Sequence, residues 1–260
     1  MKYKANNTQI NILEQGSGSL TLVFLHYFGG SALEWQVVMN QLSGQHRCIA
    51  IDLRGHGDSD APQTGYTIDD MADDVAGILS MRSVQDFVLV GHSMSGKVAL
   101  ALASRQPAGL QSLLLVSPSP LIPEPIADHE RQKLLAGHGQ RSAAGQTLNN
   151  VTAVFISEAV QEQIIADDLR TAKLAWDAWL MHGSSEDISA QMITVGVPVH
   201  IIVGSQDRAL PPDVQPRMVM PYLNDVSLET IDGAGHLLPW EVPDDLAIFI
   251  RKNLLIHSLN

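Results

Sequence analysis

The stretch that decides the fold is residues 87–96, FVLVGHSMSG, followed by the helix-like run 97–102, KVALAL. An apolar run, a tight segment of small residues and a helical pattern predict a strand, a sharp turn and a helix. A turn this sharp brings the strand and the helix into near contact, so Gly91 and Ser95 have to be small. In return, the hydroxyl of Ser93 stands clear of the backbone at the tip of the turn.

Short apolar runs alternate with longer helical patterns along most of the chain. This alternation is typical of a mostly parallel sheet with helices on both faces, so the predicted fold class is α/β. We predict strands at 20–25, 48–51, 87–90, 113–116, 199–203 and 226–231, and an antiparallel strand at the N-terminal edge at 10–14. We predict helices at 32–42, 68–81, 95–105, 213–220 and 244–255.

The alternation stops between residues 121 and 195. After a proline-punctuated stretch that ends at Pro125, the pattern is helical and contains no convincing strand. A segment of this length is not expected to be an unstructured loop. We therefore predict a core made of residues 1–120 and 196–260, with a helical cap inserted at 121–195, the whole forming a single structural unit.

Ser93 is the first candidate catalytic residue. A serine hydroxyl is a poor nucleophile until a base removes its proton, and the base has to be oriented by an acid. The predicted strand 199–203 leads into Asp207. The predicted strand 226–231 leads into a loop that ends at His236. Because the ends of parallel strands lie along one edge of a sheet, these three side chains can converge there. A helix-capping role for Asp207 and a structural role for His236 stay open as alternatives.

The composition restricts the choice of partners and of compartment. The 260 residues include 28 acidic and 16 basic side chains, a net charge of −12, and no cluster of Lys and Arg offsets it. This argues against nucleic acid and anionic membrane surfaces as partners. The single cysteine, Cys48, cannot form an internal disulfide and is expected to be a buried strand residue. With no signal-peptide pattern and no apolar stretch of membrane-spanning length, a cytoplasmic protein is the default expectation. The oligomeric state is undetermined.

Four parts of the sequence resemble motifs of one known superfamily. They are 25–30 (LHYFGG), 52–59 (DLRGHGDS), 91–96 (GHSMSG), and 204–207 (GSQD) together with 235–236 (GH) and 239–243 (PWEVP). In this order and context, the chain resembles the α/β-hydrolase superfamily, specifically its small helical-capped esterases, lactonases and C–C bond hydrolases. The resemblance covers nearly the whole chain outside the cap. It implies a serine nucleophile with its partners in the order Ser, Asp, His.

The same resemblance implies an oxyanion hole made by the backbone N–H groups of Phe28 and Met94. Two residues differ from the usual motifs. Ser95 stands where glycine is the norm, but a serine is small enough to keep the turn. Tyr27 stands where similar proteins have glycine, and a tyrosine there is strained if the position requires positive φ.

Four residues are candidates for the lining of a substrate pocket. Trp176 and Trp179 lie three residues apart in the predicted cap, on one helical face, and belong either to its core or to the pocket. Tyr27 adjoins the predicted oxyanion loop. His92 lies within the turn, where it either lines the pocket or has a structural role.

The expected function is hydrolysis of a carboxylic ester, or a related acyl bond of a small molecule, through an acyl-enzyme. The reaction requires no cofactor and no metal ion, and the histidines lack metal-ligand spacing. Cleavage of a lactone, thioester or C–C bond remains possible on the same scaffold. Two further alternatives stay open: a cofactor-free lyase or oxygenase in which Ser93 is secondary, and a catalytically weak ligand-binding receptor.

Overall fold

An eight-stranded sheet forms the centre of the molecule, in a computed structural model that describes residues 1–255. Residues 256–260, the end of the second predicted core segment, lie outside the described residues. The strands are β1 (Lys2–Ala5), β2 (Thr8–Gln15), β3 (Leu20–Leu25), β4 (Arg47–Ile51), β5 (Asp86–His92), β6 (Leu110–Val116), β7 (Val199–Gly204) and β8 (Val226–Ile231). Their order across the sheet is β1-β2-β4-β3-β5-β6-β7-β8. β2 pairs antiparallel with β1 and with β4, and the remaining pairs are parallel.

Helices follow most of the parallel strands. They are α1 (Gln36–Leu42), α2 (Ile68–Met81), α3 (Met94–Ser104), α4 (Asp128–Gly137), α5 (Arg141–Val151), α6 (Glu158–Arg170), α7 (Lys173–Met181), α8 (Val214–Met218), α9 (Leu238–Glu241) and α10 (Pro243–Leu255). Short 3-10 helices occur at Ala32–Trp35, Gly183–Ser185, Ser189–Thr194 and Met220–Tyr222. Within the described part of the chain, none of these helices has the length and apolar character needed to span a membrane.

The observed elements confirm the α/β fold class and most of the predicted ranges. α2 has the predicted bounds because Thr67 and Asp70 form a reciprocal capping box that defines its first turn. The predicted strand 10–14 is present as part of β2, but β2 is not at the edge of the sheet. The edge position belongs to the short β1, which we did not predict. Cys48 is a buried strand residue, as expected.

The core lies on both faces of the sheet. In β3, Val23 and Leu25 pack on the side of α2 and α3, whereas Leu22 and Phe24 pack on the side of α1 and α10. Successive residues of a strand point to opposite faces, so a strand that is covered on both faces is apolar throughout. This is why the central strands are recognisable in the sequence as continuous apolar runs.

The segment between β6 and β7 contains α4 to α7 and no strand, in agreement with the helical pattern of its sequence. Its last part packs against the core, because Ile188 and Met192 are buried in the cluster that includes α3. The buried Lys97 of α3 donates from Nζ to the carbonyl oxygen of Gly183 at 3.3 Å and to that of Glu186. The end of this segment is therefore fastened to the helix that follows Ser93.

A buried ion pair fixes the loop after β4. Arg54 and Asp74 meet at 2.6 Å, with both side chains almost fully buried. Arg54 also donates to the carbonyl oxygen of Gly65. The guanidinium is thus occupied by partners within the fold, which gives this glycine-rich loop a structural role.

Removal of one partner should test that role. Asp74→Ala leaves the guanidinium of Arg54 buried without its counter-ion, so we expect a loss of about 3–5 kcal/mol in the free energy of unfolding. Asp69→Ala is the matched control on the same helix, since its ion pair with Arg105 is exposed and should contribute less than about 1 kcal/mol. Urea unfolding measures both, and equal losses would contradict the assignment.

Candidate active site

Ser93 connects β5 to α3 with an unusual backbone conformation, φ 52° and ψ −117°. Its N–H donates to the carbonyl oxygen of Val116 at 2.9 Å, and its own carbonyl oxygen accepts from Ser119 N at 2.9 Å. The strand and the helix approach so closely that a Cβ atom on Gly91 would lie 2.6 Å from the carbonyl oxygen of Ser95. The turn therefore requires the small residue that its sequence provides.

Ser95 has a role beyond its small size. Its hydroxyl donates to the carbonyl oxygen of His26, in the loop that follows β3. His26 also fixes this loop, since Leu53 N donates to its Nε2 at 3.0 Å and its Nδ1 is 2.7 Å from the carbonyl oxygen of Tyr27. The serine that replaces the usual glycine thus joins the turn of Ser93 to the predicted oxyanion loop.

The structure brings the three predicted catalytic side chains together at one edge of the sheet. His236 Nε2 lies 2.9 Å from Ser93 Oγ, and His236 Nδ1 lies 2.7 Å from Asp207 Oδ2. The other oxygen of Asp207 accepts from the N–H groups of Ala209 at 2.9 Å and Leu210 at 2.8 Å. An ionised Asp207 therefore fixes the hydrogen of His236 on Nδ1, which leaves Nε2 free to accept a proton from Ser93.

Charges around His236 favour its protonated form. Burial alone lowers the pKa of His236, but the charge and hydrogen bond of Asp207 raise it, and Glu124 and Glu241 add to the increase. The net result is a pKa above the ordinary value of 6.5. A base with an increased proton affinity, placed against a hydroxyl, is suited to proton abstraction.

A second histidine and carboxylate lie behind His236. His92 Nε2 is 3.0 Å from the carbonyl oxygen of His236, and His92 Nδ1 is 3.2 Å from Glu34 Oε2. Since a carbonyl oxygen only accepts, His92 donates from Nε2, and a neutral ring then accepts at Nδ1 from a protonated Glu34. Burial supports this assignment, because it raises the pKa of Glu34 well above its usual value and lowers that of His92 well below it.

Glu241 fixes the loop of His236 from the other side. Its Oε2 accepts from the N–H groups of Gly235 at 3.0 Å, Ala153 at 2.8 Å and Val154 at 2.8 Å, and its Oε1 accepts from Leu237 N at 3.0 Å. One buried carboxylate thus joins the loop to the segment inserted between β6 and β7. We assigned no role to Glu241 or Glu34 from the sequence, since only the folded chain brings them to these partners.

The predicted oxyanion loop faces the turn of Ser93. Among the hydrogen bonds of the described residues, none uses the backbone N–H of Phe28 or of Met94, so both remain available to a ligand. The left-handed position in the loop is Gly29, at φ 81°, and Tyr27 does not have positive φ. Tyr27 is therefore not strained, because the residue of this turn that has positive φ is Gly29, two residues later.

A cavity of about 590 Å³ opens beside Ser93 and His236. Tyr27, Trp176 and Trp179 line it, together with Phe28. The ring of Phe28 packs on Trp176, with 4.4 Å between centroids, and lies 6.3 Å from Trp179. His92 is fully buried and is not among the lining residues, so our assignment of His92 as a possible lining residue is corrected in favour of the structural alternative.

Comparisons with known proteins agree with this fold. Residues 22–248 match the Alpha/beta hydrolase family. A 2-(acetamidomethylene)succinate hydrolase of Mesorhizobium japonicum is 34% identical over 145 residues, which make up 56% of this chain but only 49% of that protein. A putative carbamate hydrolase, RutD, of Variovorax paradoxus is 32% identical over 219 residues, covering 80% of this chain and 81% of that one.

A solved esterase of Exiguobacterium antarcticum has the same fold. It superimposes with a TM-score of 0.90 over 97% of this chain and 98% of its own, at 21% sequence identity. From the family match and the named relatives, the chain belongs to the alpha/beta hydrolase family and is a hydrolase.

The charge arrangement around His236 gives a testable titration. We expect the imidazole of His236 to titrate with a midpoint above 6.5, because Asp207 stabilises the protonated ring. Asp207→Asn removes that charge while burial remains, so the midpoint should fall. Asp213→Asn, which changes an exposed carboxylate paired with Arg217, should leave it in place. NMR titration of the ring measures these values, and a wild-type midpoint at or below 6.5 would contradict the assignment.

Glu241→Gln tests the junction between the loop and the inserted segment. An amide nitrogen cannot accept hydrogen bonds, so some of the four N–H groups that donate to Glu241 lose their acceptor. Each buried donor left without an acceptor destabilises the fold by about 1–3 kcal/mol. We expect a corresponding decrease in the free energy of unfolding. Glu229→Gln, which removes an exposed pair with Lys252, should cost less than about 1 kcal/mol. Chemical denaturation measures the free energy of unfolding of both variants. Equal losses in the two variants would show that the four contacts of Glu241 contribute little to stability.

Proposed function

We propose that this hydrolase cleaves a carboxylic ester, or a related acyl bond, through a covalent acyl-enzyme on Ser93. The observation that carries the proposal is the continuous line of hydrogen bonds from Asp207 through His236 to Ser93, at 2.7 and 2.9 Å. A nucleophile, a base within reach of its proton and an acid that orients the base are the three parts that acyl transfer to serine requires.

The steps follow from the positions of the protons. His236 Nε2 takes the proton of Ser93 Oγ while this oxygen attacks the substrate carbonyl carbon. The tetrahedral intermediate collapses, the leaving group takes the proton from His236, and an acyl-serine remains. Water then attacks the acyl carbon and gives its proton to His236, which returns it to Ser93 as the acid departs. Asp207 stays ionised throughout and stabilises the protonated ring.

The negative charge that develops on the carbonyl oxygen needs hydrogen-bond donors. We assign this role to the backbone N–H groups of Phe28 and Met94, which have no partner within the described structure and flank the nucleophile from two loops. Donors that are fixed in advance lower the barrier without reorganisation, and loss of one such donor typically reduces turnover by about 10²–10³. The hydrogen bond from Ser95 to His26 helps to keep the two loops in register.

We further propose that residues 121–195 act as a cap that encloses a small acyl substrate. Helices α4 to α7 contribute most of the cavity wall outside the catalytic loops. The cavity volume of about 590 Å³ suits a small molecule. Two relatives are named a 2-(acetamidomethylene)succinate hydrolase and a putative carbamate hydrolase, which supports the inclusion of acyl bonds other than those of simple esters in this proposal.

A fluorophosphonate probe tests the nucleophile directly. We expect the probe to label wild-type protein covalently at Ser93, and Ser93→Ala to lose both labelling and hydrolysis of short p-nitrophenyl esters. Ser104→Ala is the matched control, because it removes a hydroxyl at the opposite end of α3, where that hydroxyl contacts the carbonyl oxygen of Ala101 and the side chain of Gln191. It should still be labelled.

The same experiment separates the other candidate functions. Labelling of Ser93→Ala equal to that of wild type would overturn the proposal. Absence of labelling in the wild type, with a reaction that survives Ser93→Ala, would indicate a lyase or an oxygenase that uses the His236–Asp207 pair alone. A single turnover without further cycles would indicate a receptor.

A further inference from the structure

The cavity wall contains the carboxylate of Asp168, whose oxygens accept no hydrogen bond from the described residues. Asp168 lies on α6 and lines the cavity, and no hydrogen bond or ion pair among the described residues reaches its side chain. The preceding Asp167 differs in this respect. It accepts from Ser31 Oγ at 2.8 Å, from Gln163 Nε2 at 3.1 Å and from Arg170 Nε at 2.9 Å. Asp167 is thus part of the framework, whereas Asp168 presents a free carboxylate to the cavity.

Asp168 lies next to the proposed oxyanion loop. A Cβ atom placed on Gly29 would be 3.5 Å from Asp168 Oδ2 and 3.4 Å from the ring of Trp176. Gly29 follows Phe28, whose ring packs on the same Trp176. The free carboxylate therefore shares one wall of the cavity with two aromatic rings and with a proposed oxyanion donor, close to where a bound acyl group would lie.

The position of Asp168 is fixed by its neighbours. Besides the bond from Ser31 to Asp167, Arg170 at the end of α6 forms an ion pair with Asp58 at 2.7 Å. Ala172 N, two residues after the end of α6, donates to the carbonyl oxygen of Gly55 at 2.7 Å. These contacts join α6 to two core loops, so Asp168 is held in place before a ligand arrives.

No ion pair in the described structure balances the charge of Asp168, and His138 is the basic group that acts on it electrostatically. Burial raises the pKa of Asp168 to about 6, and His138 opposes that increase. Near neutral pH the carboxyl is therefore mostly ionised. The basic residues that line the cavity, Lys133 and Arg208, are both exposed, and neither forms an ion pair with Asp168 in the described structure. His138 is bound through Nε2 to the carbonyl oxygen of Thr171 at 2.8 Å, so within the described residues no cation is hydrogen-bonded to the carboxylate of Asp168.

A partly buried, unpaired carboxylate is unfavourable until a donor reaches it, and a cation compensates it more fully than a neutral group does. Aromatic faces such as those of Trp176 and Phe28 also attract ammonium groups. We propose that Asp168 makes this enzyme select acyl substrates that carry a protonated amine close to the acyl carbon. This inference rests on the proposed function, and it assigns Asp168 as a specificity-determining residue.

A matched series of esters tests the selection. The esters share a p-nitrophenyl leaving group and an acyl chain of one length, and the chain ends in a methyl, a hydroxyl, an ammonium or a carboxylate group. For the wild type we expect kcat/KM to decrease from the ammonium to the methyl to the carboxylate ester. The ammonium-to-methyl ratio should be about 10–100, the value of a hydrogen bond to a charged group.

Variants identify the carboxylate responsible. Asp168→Asn keeps the shape of the side chain and should bring the ammonium-to-methyl ratio near one, and Asp168→Glu, which keeps the charge, should retain a preference. Glu130→Gln removes an exposed carboxylate at the rim of the same cavity and should retain the wild-type ratio. A ratio that Asp168→Asn leaves unchanged would overturn the inference, as would equal preference for the hydroxyl and the ammonium ester.

The outcomes separate this inference from the proposed function. If the wild type hydrolyses the methyl ester but shows no preference for ammonium, the selection is wrong and the acyl-transfer proposal stands. If the wild type hydrolyses none of the esters, the acyl-transfer proposal fails for this class of bond. Calorimetric binding of the same ammonium and methyl esters then decides the selection. Tighter binding of the ammonium ester that Asp168→Asn abolishes supports it, and equal binding overturns it.

Discussion

The backbone conformation of Ser93 is the constraint on which the rest of the site depends. A non-glycine residue in this region of φ/ψ space costs on the order of 1–3 kcal/mol and persists only where the surroundings enforce it. Here the enforcement comes from the contact of Gly91 with the first turn of α3 and from hydrogen bonds to Val116 and Ser119. The conformation projects the hydroxyl outward and aims the first N–H of α3 into the same space. The partners of Ser93 then have to meet it at that point.

The loop of His236 meets this requirement because several hydrogen bonds to its backbone fix its position. The N–H of His236 donates to the carbonyl oxygen of Val151 at 2.8 Å, and the carbonyl oxygen of His236 accepts from His92. The N–H groups of Gly235 and Leu237 donate to Glu241. The ring is therefore oriented by the frame of the loop as well as by Asp207. The proposed catalytic geometry thus depends on buried backbone contacts, which define where the side chains of Ser93, His236 and Asp207 lie.

The sequence predicted the parts of the structure that follow from local pattern. Asp207 and His236 could be found because each comes just after an apolar strand. The bounds of α2 could be predicted because its capping residues and its apolar face indicate the same helix. The surroundings of Glu34 and Asp168 could not be found, since they are formed by residues far away along the chain. The same holds for the contacts of Glu241 with Ala153 and Val154. Strain at Tyr27 depended on a positive φ at this position, and that condition is not met. A comparison of single residues with similar motifs does not reveal which residue of a turn has positive φ. The position of β1 escaped prediction because a short, exposed edge strand has little apolar pattern.

The contact of Glu241 with residues 153–154 has a consequence for how such enzymes diversify. The carboxylate recognises two amide hydrogens and no side chain of the inserted segment, so the identity of the residues at this seam is almost free. Residues 153–154 could be exchanged for others without loss of this contact, provided that the chain still directs two N–H groups at Glu241. Proline is the residue that such an exchange has to avoid there, because it has no N–H. At this contact, therefore, the sequence of the inserted segment can change as long as its main chain keeps the same course.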